Sequence, residues 1–391
     1  MLPRVTKYKS RGLLGRAIRL SSSSEKQCPV RRIAAPVYSV FRGRIFGRGH
    51  RRSQPRSEPM MQRGGLLPLL LLSLLCTCDR AQKSQTVRKS SNLEVHEPIN
   101  QGVPDRHEWP LEQPIRLILD SDTANEIDDL FAIAYVLPDD TVDFLGLSSA
   151  QWFHAWSGDS TVYQSQQLNE DLLRIAGRME LSHPLGADII MGKPWGDYDA
   201  RDSPAAQFII EQAQEVPDGE KMVVMCIGAA TNLASAIALE PSIKDKIVAY
   251  MLGFRYDFDG KFWNKDEFNI RRDLNAANYL LNTEGLELHV MPISVAIKYT
   301  WERSATFGHL NKAGKMGIYL RNRWGKAGGP DAKKWTMWDV ALLQAFLKPE
   351  QASEIAVLTP PENTQRLVWL YDDIDPEAME ADFWKRLTKE E

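Results

Sequence analysis

The stretch Ile115-Arg116-Leu117-Ile118-Leu119-Asp120-Ser121-Asp122-Thr123-Ala124-Asn125-Glu126-Ile127-Asp128-Asp129 runs from apolar residues directly into acidic ones. Four Asp and one Glu fall within its last ten positions. Like charges at this density repel one another unless something positive lies among them. The stretch therefore predicts a buried strand that ends in a cation-binding loop. The alternative is a helix N-terminus, where the helix dipole favours acids.

Downstream of this stretch, short apolar runs alternate with helical patterns. The predicted strands are 116–119, 141–148, 221–227, 247–253, 286–292 and 367–371, and the predicted helices are 128–137, 160–178, 205–215, 231–239, 274–281 and 338–347. This alternation predicts one α/β domain over residues 113–391, with a mostly parallel, Rossmann-like central sheet flanked by helices. Ligands of such sheets bind at the carboxyl ends of the strands, which is where the acidic stretch lies.

The N-terminal part differs from the rest in charge, because residues 1–65 carry sixteen Lys or Arg against two Glu. We interpret residues 1–59 as a basic upstream segment, disordered or not translated. The alternatives are a transit peptide or a nucleic-acid-binding arm, and we expect no nucleic-acid partner. Residues 60–78 predict an export signal, since a charged start precedes the apolar run 66–75, which is shorter than the ~20 residues a membrane span needs.

The end of this signal contains two cysteines, Cys76 and Cys78. Cys78 resembles the lipidated Cys of bacterial lipoproteins, which predicts a lipid anchor, and the alternative is a plain cleaved signal. Residues 79–112 are polar, contain three prolines and predict a linker. We therefore expect an exported protein, either periplasmic or a membrane-anchored lipoprotein of a bacterium.

Four segments in chain order place acids, a Gly or an Asn beside the ends of predicted strands or the starts of predicted helices. They are Asp120-Ser121-Asp122 with Asp128-Asp129, Gly228-Ala229-Ala230-Thr231-Asn232 after the apolar run 223–227, Glu267-Phe268-Asn269 with Asp273, and Trp338-Asp339. Together they span residues about 114–350. This set resembles the motifs of the inosine-uridine preferring nucleoside hydrolase family. The resemblance implies hydrolysis of the N-glycosidic bond of a ribonucleoside, or of a related N-riboside, to ribose and a free base.

The resemblance also implies roles for individual residues. Asp122 would hold the attacking water as general base. A Ca²⁺ cofactor would be bound by Asp122, Asp129, the backbone carbonyl of Ile227, and Asp339. The ribose hydroxyls would be bound by Asp128, Glu267 and Asn269, with Asp120 orienting the loop from behind. The family also implies a homo-oligomer, although no feature of the sequence fixes that state.

Several positions depart from the family pattern. The family has three residues between its two acidic pairs, whereas five residues, including Glu126, separate Asp122 from Asp128. Trp338 stands where the family has a His, so we expect it to stack on the base rather than protonate it. His154 or Gln151 would replace one ribose-contacting Asn, and Asn264 would replace another.

Two other functions compete with this one. In a haloacid-dehalogenase-like phosphatase, Asp120 would be the nucleophile and Asp122 the acid/base, and Asp372-Asp373 would imitate the late acidic pair. Nothing in that interpretation requires Asp128-Asp129, Glu267 or Asp339. The second alternative is a non-catalytic exported protein that binds nucleosides or sugars.

Overall fold

The computed structural model describes residues 106–110, 113–327 and 332–388. A seven-stranded sheet runs through this part of the chain. Its strands are β1 (Ile115–Ser121), β2 (Val142–Ser149), β3 (Met222–Cys226), β4 (Ile247–Leu252), β7 (Glu287–Met291), β10 (Ala352–Leu358) and β11 (Leu367–Ile374). Their order in the sheet is β10-β11-β7-β4-β3-β1-β2. Every neighbouring pair is parallel except β10 with β11. The prediction of a mostly parallel sheet is confirmed.

Alternate residues of the central strands supply two separate hydrophobic cores, one on each face of the sheet. Leu117 and Leu119 of β1 contribute to one core, and Ile118 contributes to the other. Successive strand side chains point to opposite faces, so a strand covered on both sides needs apolar residues at every position. This requirement accounts for the unbroken apolar runs in the sequence.

Eleven helices surround the sheet within the described ranges. They are α1 (Asp128–Val136), α2 (Thr161–Ala176), α3 (Pro204–Glu215), α4 (Thr231–Leu239), α5 (Phe268–Arg272), α6 (Leu274–Asn282), α7 (Ile293–Ala296), α8 (Arg303–Leu310), α9 (Gly314–Ala327), α10 (Trp338–Leu347) and α11 (Pro376–Leu387). Residues of α1, α2 and α10 belong to one core, whereas residues of α3, α4 and α6 belong to the other. All six predicted helices are present.

The sequence patterns did not predict β10, two short antiparallel hairpins or the helices α5, α7, α8, α9 and α11. The hairpins pair β5 (Arg255–Asp257) with β6 (Phe262–Asn264), and β8 (Thr300–Glu302) with β9 (Lys334–Thr336). Strands of three residues are too short to show a period in the sequence. Both hairpins contribute residues near the site described below.

The predictions for residues 1–59 and 60–78, and most of the linker 79–112, lie outside the described residues. Within the ranges that are described, no helix combines the length and the apolar character that a membrane crossing requires.

Candidate active site

A cavity of about 250 Å³ lies at the carboxyl ends of the strands, beside the acidic stretch. Seven of its lining side chains are carboxyls, namely Asp122, Glu126, Asp128, Asp129, Asp266, Glu267 and Asp339. Two are arginines, Arg255 and Arg271, and both are solvent-exposed. The cavity wall is therefore strongly acidic, as the sequence predicts.

Three of these carboxyls converge because two helices start at the same place. Asp128 and Asp129 form the first turn of α1, and Asp339 lies in the first turn of α10. One oxygen from each of the three lies within 4.8 Å of the others. The backbone N–H of Asp339 donates to Asp128 Oδ2 at 3.1 Å, which joins the two helix ends. Both helix dipoles direct positive potential toward the cluster, but they do not neutralise four buried acids.

Asp122 follows the end of β1 and lines the same cavity, outside the group of three oxygens that lie within 4.8 Å of one another. It is 2% exposed, and Gly228 lies directly against it. A Cβ at position 228 would stand 2.8 Å from Asp122 Cβ, so any larger residue there would displace the carboxyl. This contact explains the Gly in the turn after β3.

The buried acids at this site carry negative charge that a bound cation would neutralise. Burial raises the pKa of Asp122, and the neighbouring Asp129 and Asp128 raise it further. Burial likewise raises the pKa of Asp129 to about 7, against the opposing effect of the hydrogen bond from Ser121 Oγ at 2.6 Å. Asp122 Oδ2 and Asp128 Oδ1 are buried and have no hydrogen-bond partner. Buried carboxylate oxygens are normally paired, so these two are available to a cation or to a ligand's hydroxyl group.

The backbone carbonyl of Ile227 is the fourth predicted ion ligand, and Ile227 lines the cavity. This carbonyl accepts a hydrogen bond from Asn269 Nδ2 at 2.9 Å. The backbone N–H of Ile227 donates to the Asp120 carbonyl at 2.9 Å, which fixes the orientation of the peptide. The carboxyls and this carbonyl offer only oxygen donors, which suits a hard divalent cation.

Glu267 and Asn269 bring the predicted sugar-binding groups to the same cavity. Glu267 caps α5, because its Oε2 accepts from the backbone N–H of Ile270 at 3.2 Å. Burial raises the pKa of Glu267, although several backbone N–H groups lower it in part. Asn269 also donates to the Leu252 carbonyl at 3.3 Å. The helix start therefore fixes both side chains.

Asp120 lies behind the cavity and does not line it. Its Oδ1 accepts from Ser148 Oγ at 2.6 Å and from Asn232 Nδ2 at 2.9 Å. Burial raises the pKa of Asp120 to about 6. Because this carboxyl is enclosed among strand ends, it cannot reach a substrate in the cavity as a nucleophile. Asp372 and Asp373 are partly exposed or exposed at the far end of β11 and bind Ser353 and Lys298, so the phosphatase alternative gains no support.

Asn232 has a role that sequence reasoning missed. Besides Asp120, its amide reaches the Ser149 carbonyl at 3.1 Å, and its Oδ1 accepts from the backbone N–H of Ala187 at 2.9 Å. It thus joins the ends of β1 and β2 to the loop before α3. Its neighbour Thr231 donates to Asp273 Oδ2 at 2.7 Å, which links two of the sequence motifs. In the sequence, the pair Thr231-Asn232 after Gly228 is the signal that could have indicated this role.

The remaining predicted site residues divide into two groups. Trp338 lines the cavity at the start of α10. His154, Gln151 and Asn264 do not line it. His154 Nδ1 accepts from the backbone N–H of Trp156 at 3.2 Å, Gln151 Nε2 donates to the Arg272 carbonyl at 3.1 Å, and Asn264 Oδ1 accepts from the backbone N–H of Asp266 at 2.7 Å. Their roles as sugar contacts stay predictions.

The extra residues of the acidic loop also have a place in the structure. Glu126 lies at the cavity mouth, where its Oε2 accepts from Trp335 Nε1 of β9 at 3.2 Å. Phe268 forms another part of the wall, and the guanidinium of Arg272 lies 4.7 Å from the centre of its ring. Neither Phe268 nor the two rim arginines were predicted to be site residues.

Comparison with known proteins identifies relatives at the levels of family and fold. The model of the inosine-uridine preferring nucleoside hydrolase family matches residues 117–377. Among solved structures, a plant nucleoside hydrolase matches with 17% identity, a TM-score of 0.57, and coverage of 71% of this chain and 100% of its own. A comparison with curated proteins gave no match.

Two bacterial structures are similar to the same part of the chain. The purine-preferring ribonucleoside hydrolase from Gardnerella vaginalis is 18% identical, with a TM-score of 0.53, and the match covers 70% of this chain and 98% of its own. The inosine-uridine preferring nucleoside hydrolase from Bacillus anthracis is 16% identical, with a TM-score of 0.53, and the match covers 70% and 99%. At these identities the structural matches establish a shared fold.

Proposed function

The chain belongs to the inosine-uridine preferring nucleoside hydrolase family and is a hydrolase of N-glycosyl bonds, and we propose that its substrate is a ribonucleoside or related N-riboside and its ion Ca²⁺. The observation that carries the proposal is the meeting of Asp128, Asp129 and Asp339 within 4.8 Å, in the cavity that Glu267 and Asn269 also line. An ion-sized cluster of acids beside groups suited to sugar hydroxyls is what a metal-assisted glycosidic hydrolysis requires.

The family is metal-dependent, and the acidic cluster fits a metal. We propose that Asp122, Asp129, Asp339 and the Ile227 carbonyl hold the ion. Ca²⁺ accepts six to eight oxygen ligands and tolerates irregular geometry, which suits a site built from carboxylates, one carbonyl and solvent. When bound, the ion lowers the pKa of water beside it and neutralises part of the cluster.

The protein's own groups then perform the remaining steps. Asp122 accepts the proton of the attacking water as general base. Asp128, Glu267 and Asn269 bind ribose hydroxyls and hold the anomeric carbon toward that water. As the bond to the base breaks, the sugar develops oxocarbenium character, and the surrounding carboxylates stabilise its positive charge. The leaving base takes the electron pair of the broken bond and gains a proton from solvent, while Asp122 returns its proton to solvent.

The direct test is an assay of purified protein with a panel of purine and pyrimidine nucleosides, in Ca²⁺ and in excess chelator. We expect release of reducing sugar in Ca²⁺ and at least a 100-fold loss in chelator. Metal analysis of the purified protein should find about one Ca²⁺ per chain. Absence of ribose from every riboside would refute the proposed substrate class, and undiminished activity in chelator would refute the ion.

We also propose that the protein is exported, with a lipid anchor at Cys78 as a bacterial periplasmic lipoprotein, and that it assembles as a homo-oligomer. The support is the charged start and apolar run at residues 60–75 for export, and family membership for assembly. Mass spectrometry of the mature N-terminus tests export, because a protein that retains residues 66–75 has not been processed. Light scattering tests assembly, and a monomer at micromolar concentration contradicts it.

A further inference from the structure

Glu126 is the cavity acid that the proposed mechanism does not use. From it and from the rest of the lining, we infer that the substrate is an N-riboside whose leaving group is already cationic, such as a pyridinium or an N-alkylated purine, and that Glu126 determines this specificity. The inference rests on the proposed function, and it names the substrate class of the same site.

The first observation concerns proton donors. Among the described residues that line the cavity there is no His, Cys, Lys or Tyr. Trp338 offers an aromatic face and an indole N–H that does not ionise. Burial raises the pKa of several lining carboxyls, but Asp122, Asp129 and Glu267 are assigned to the water, the ion and the ribose, so Glu126 is the carboxyl that the test below must exclude as an acid. A neutral nucleobase departs as an anion unless an acid protonates it, and a positioned acid contributes about 10²–10⁴-fold to such steps. A cationic base departs neutral and needs no proton.

The cavity wall has more acidic than basic side chains. The lining contains seven carboxyl side chains against two arginines. The arginines lie at the exposed rim, where Arg271 is paired with Asp266 at 2.9 Å. A divalent ion would neutralise only part of the remaining acidity. A wall with this excess of negative charge attracts cations and repels anions.

The third observation is the position of Glu126. It lies at the solvent-exposed mouth, outside the proposed ion ligands, and its Oε2 accepts from Trp335 Nε1 at 3.2 Å. This hydrogen bond orients the carboxyl, and it lowers the pKa of Glu126 in part against burial, which raises that pKa. The cavity also contains two aromatic side chains, Phe268 and Trp338, and the ring of Phe268 already lies 4.7 Å from the Arg272 guanidinium. The aromatic faces suit a flat cation, and such a cation beside Glu126 would favour the anionic form of its carboxyl.

The reaction balances without an acid. The oxygen of water bonds to the anomeric carbon, and the bond from that carbon to the ring nitrogen breaks. Its electron pair stays on the nitrogen and cancels the positive charge of the leaving group. The proton of water passes to Asp122 and then to solvent. The products are ribose, a neutral base and one proton.

The test compares 7-methylguanosine with guanosine at pH 6, since the two differ by one methyl group and one positive charge. Each kcat/KM is divided by the rate of the same substrate in buffer, which removes intrinsic lability. We expect the cationic substrate to be preferred about 100-fold or more, by the size of the missing acid contribution. N-ribosyl pyridinium serves as a second cationic substrate.

Variants separate charge recognition from a general effect on the site. Glu126→Gln should reduce the preference about 10-fold through loss of one nearby charge, and Glu126→Asp should retain most of it. Glu302→Gln, which removes an exposed charge from the β8–β9 hairpin outside the cavity, should leave the preference unchanged. Trp338→His should raise guanosine hydrolysis by 10-fold or more by supplying an acid, whereas Trp338→Phe should not.

Equal normalised efficiency on guanosine and 7-methylguanosine would overturn the inference and leave the proposed function intact. So would a Glu126→Gln variant that loses only guanosine hydrolysis, because Glu126 would then be the missing acid. If no riboside of either charge is cleaved, the proposed function fails, and this inference fails with it.

Discussion

Carboxyl groups are buried at both ends of the central sheet, but they differ in whether a cationic side chain pairs with them. At the amino ends, Glu287 of β7 accepts from Lys221 Nζ at 3.0 Å and from the backbone N–H of His107 at 2.8 Å, and it contacts His289 Nε2 at 3.2 Å. Glu354 joins this network from the antiparallel edge strand β10, where it contacts His289 Nδ1 at 2.7 Å and pairs with Arg106 at 2.6 Å. At the carboxyl ends, the buried Asp122, Asp128, Asp129 and Asp339 have no such cation among the described residues.

The pKa values record this difference. Burial alone would raise the pKa of Glu287, but hydrogen bonds from His289, the His107 backbone and Lys221 lower it to about 2. Burial raises the pKa of Asp129 to about 7, and no cation opposes it. Buried carboxyls that only support a fold are compensated by partners within the chain. A cluster left uncompensated marks the place where an external cation belongs.

The largest expected effect on activity comes from Asp122→Asn, at the carboxyl end of the sheet. Loss of the general base should lower kcat by about 10³–10⁴-fold. In chelator, the melting temperature should stay the same or rise, because one of several repelling buried acids has been removed. Activity assays and thermal unfolding on the same sample check both parts. The exposed Asp143→Asn at the opposite end of the sheet is the control, and reduced stability of Asp122→Asn in chelator would contradict the account.

The next largest expected effect is stabilisation of the folded protein by the ion at the carboxyl end of the sheet. Ca²⁺ at 100 times its Kd would raise the free energy of unfolding by about 2.7 kcal/mol, since a ligand that binds only the folded state stabilises it by mass action. Urea unfolding with and without Ca²⁺ measures this shift. Asp129→Asn should remove most of the shift, while Glu287→Gln should keep it. Equal shifts in the two variants would mean that the ion binds elsewhere.

At the amino end, the expected effect is on stability alone. Glu287→Gln should lower the free energy of unfolding by about 2 kcal/mol, because His289 and Lys221 lose their partner in a largely buried setting. Activity per folded molecule should be unchanged. The exposed Glu362, which pairs with Lys265, is a matched control, and Glu362→Gln should cost less than about 1 kcal/mol. A loss of activity in Glu287→Gln beyond its loss of folded protein would contradict the separation of roles.

The sequence reveals the carboxyl end far better than the amino end. Its acids follow strand-like apolar runs or start helices, so a parallel sheet is enough to bring them together. The amino-end network cannot be predicted in this way. Glu287 and His289 lie two residues apart, but Glu354 reaches them only through the order β10-β11-β7, which no local pattern encodes. The contact of Glu126 with Trp335 likewise spans 209 positions and depends on a hairpin of three-residue strands.

The same limit applies to the three side chains that do not line the cavity. The sequence positions of His154, Gln151 and Asn264 relative to the other motifs predict sugar contacts, and these roles stay predictions. In the structure each is held by a local backbone group or by α5. Loop conformation decides which polar side chain turns inward, and it depends on such local bonds rather than on the strand pattern.

The smallest expected effect is a pH dependence of opposite sign at the two ends of the sheet. In chelator, Asp129 has a folded pKa of about 7 against an ordinary 3.8, so the folded state binds more protons between these values. Stability from this group therefore falls as pH rises from about 4 to 7. Glu287 has a folded pKa of about 2 against 4.5, so its contribution is present above pH 4.5 and is lost as pH falls toward 2.

Urea unfolding of chelated protein should thus show greatest stability near pH 4–5. Asp129→Asn should weaken the neutral limb but leave part of it, because burial also raises the pKa of Asp122, Asp128 and Asp339. Glu287→Gln should flatten the acidic limb alone. Ca²⁺ should abolish the neutral limb, because ionised carboxylates then have their cation. A neutral limb that keeps its full size both in Asp129→Asn and in Ca²⁺ would show that the uncompensated charge lies outside the cluster.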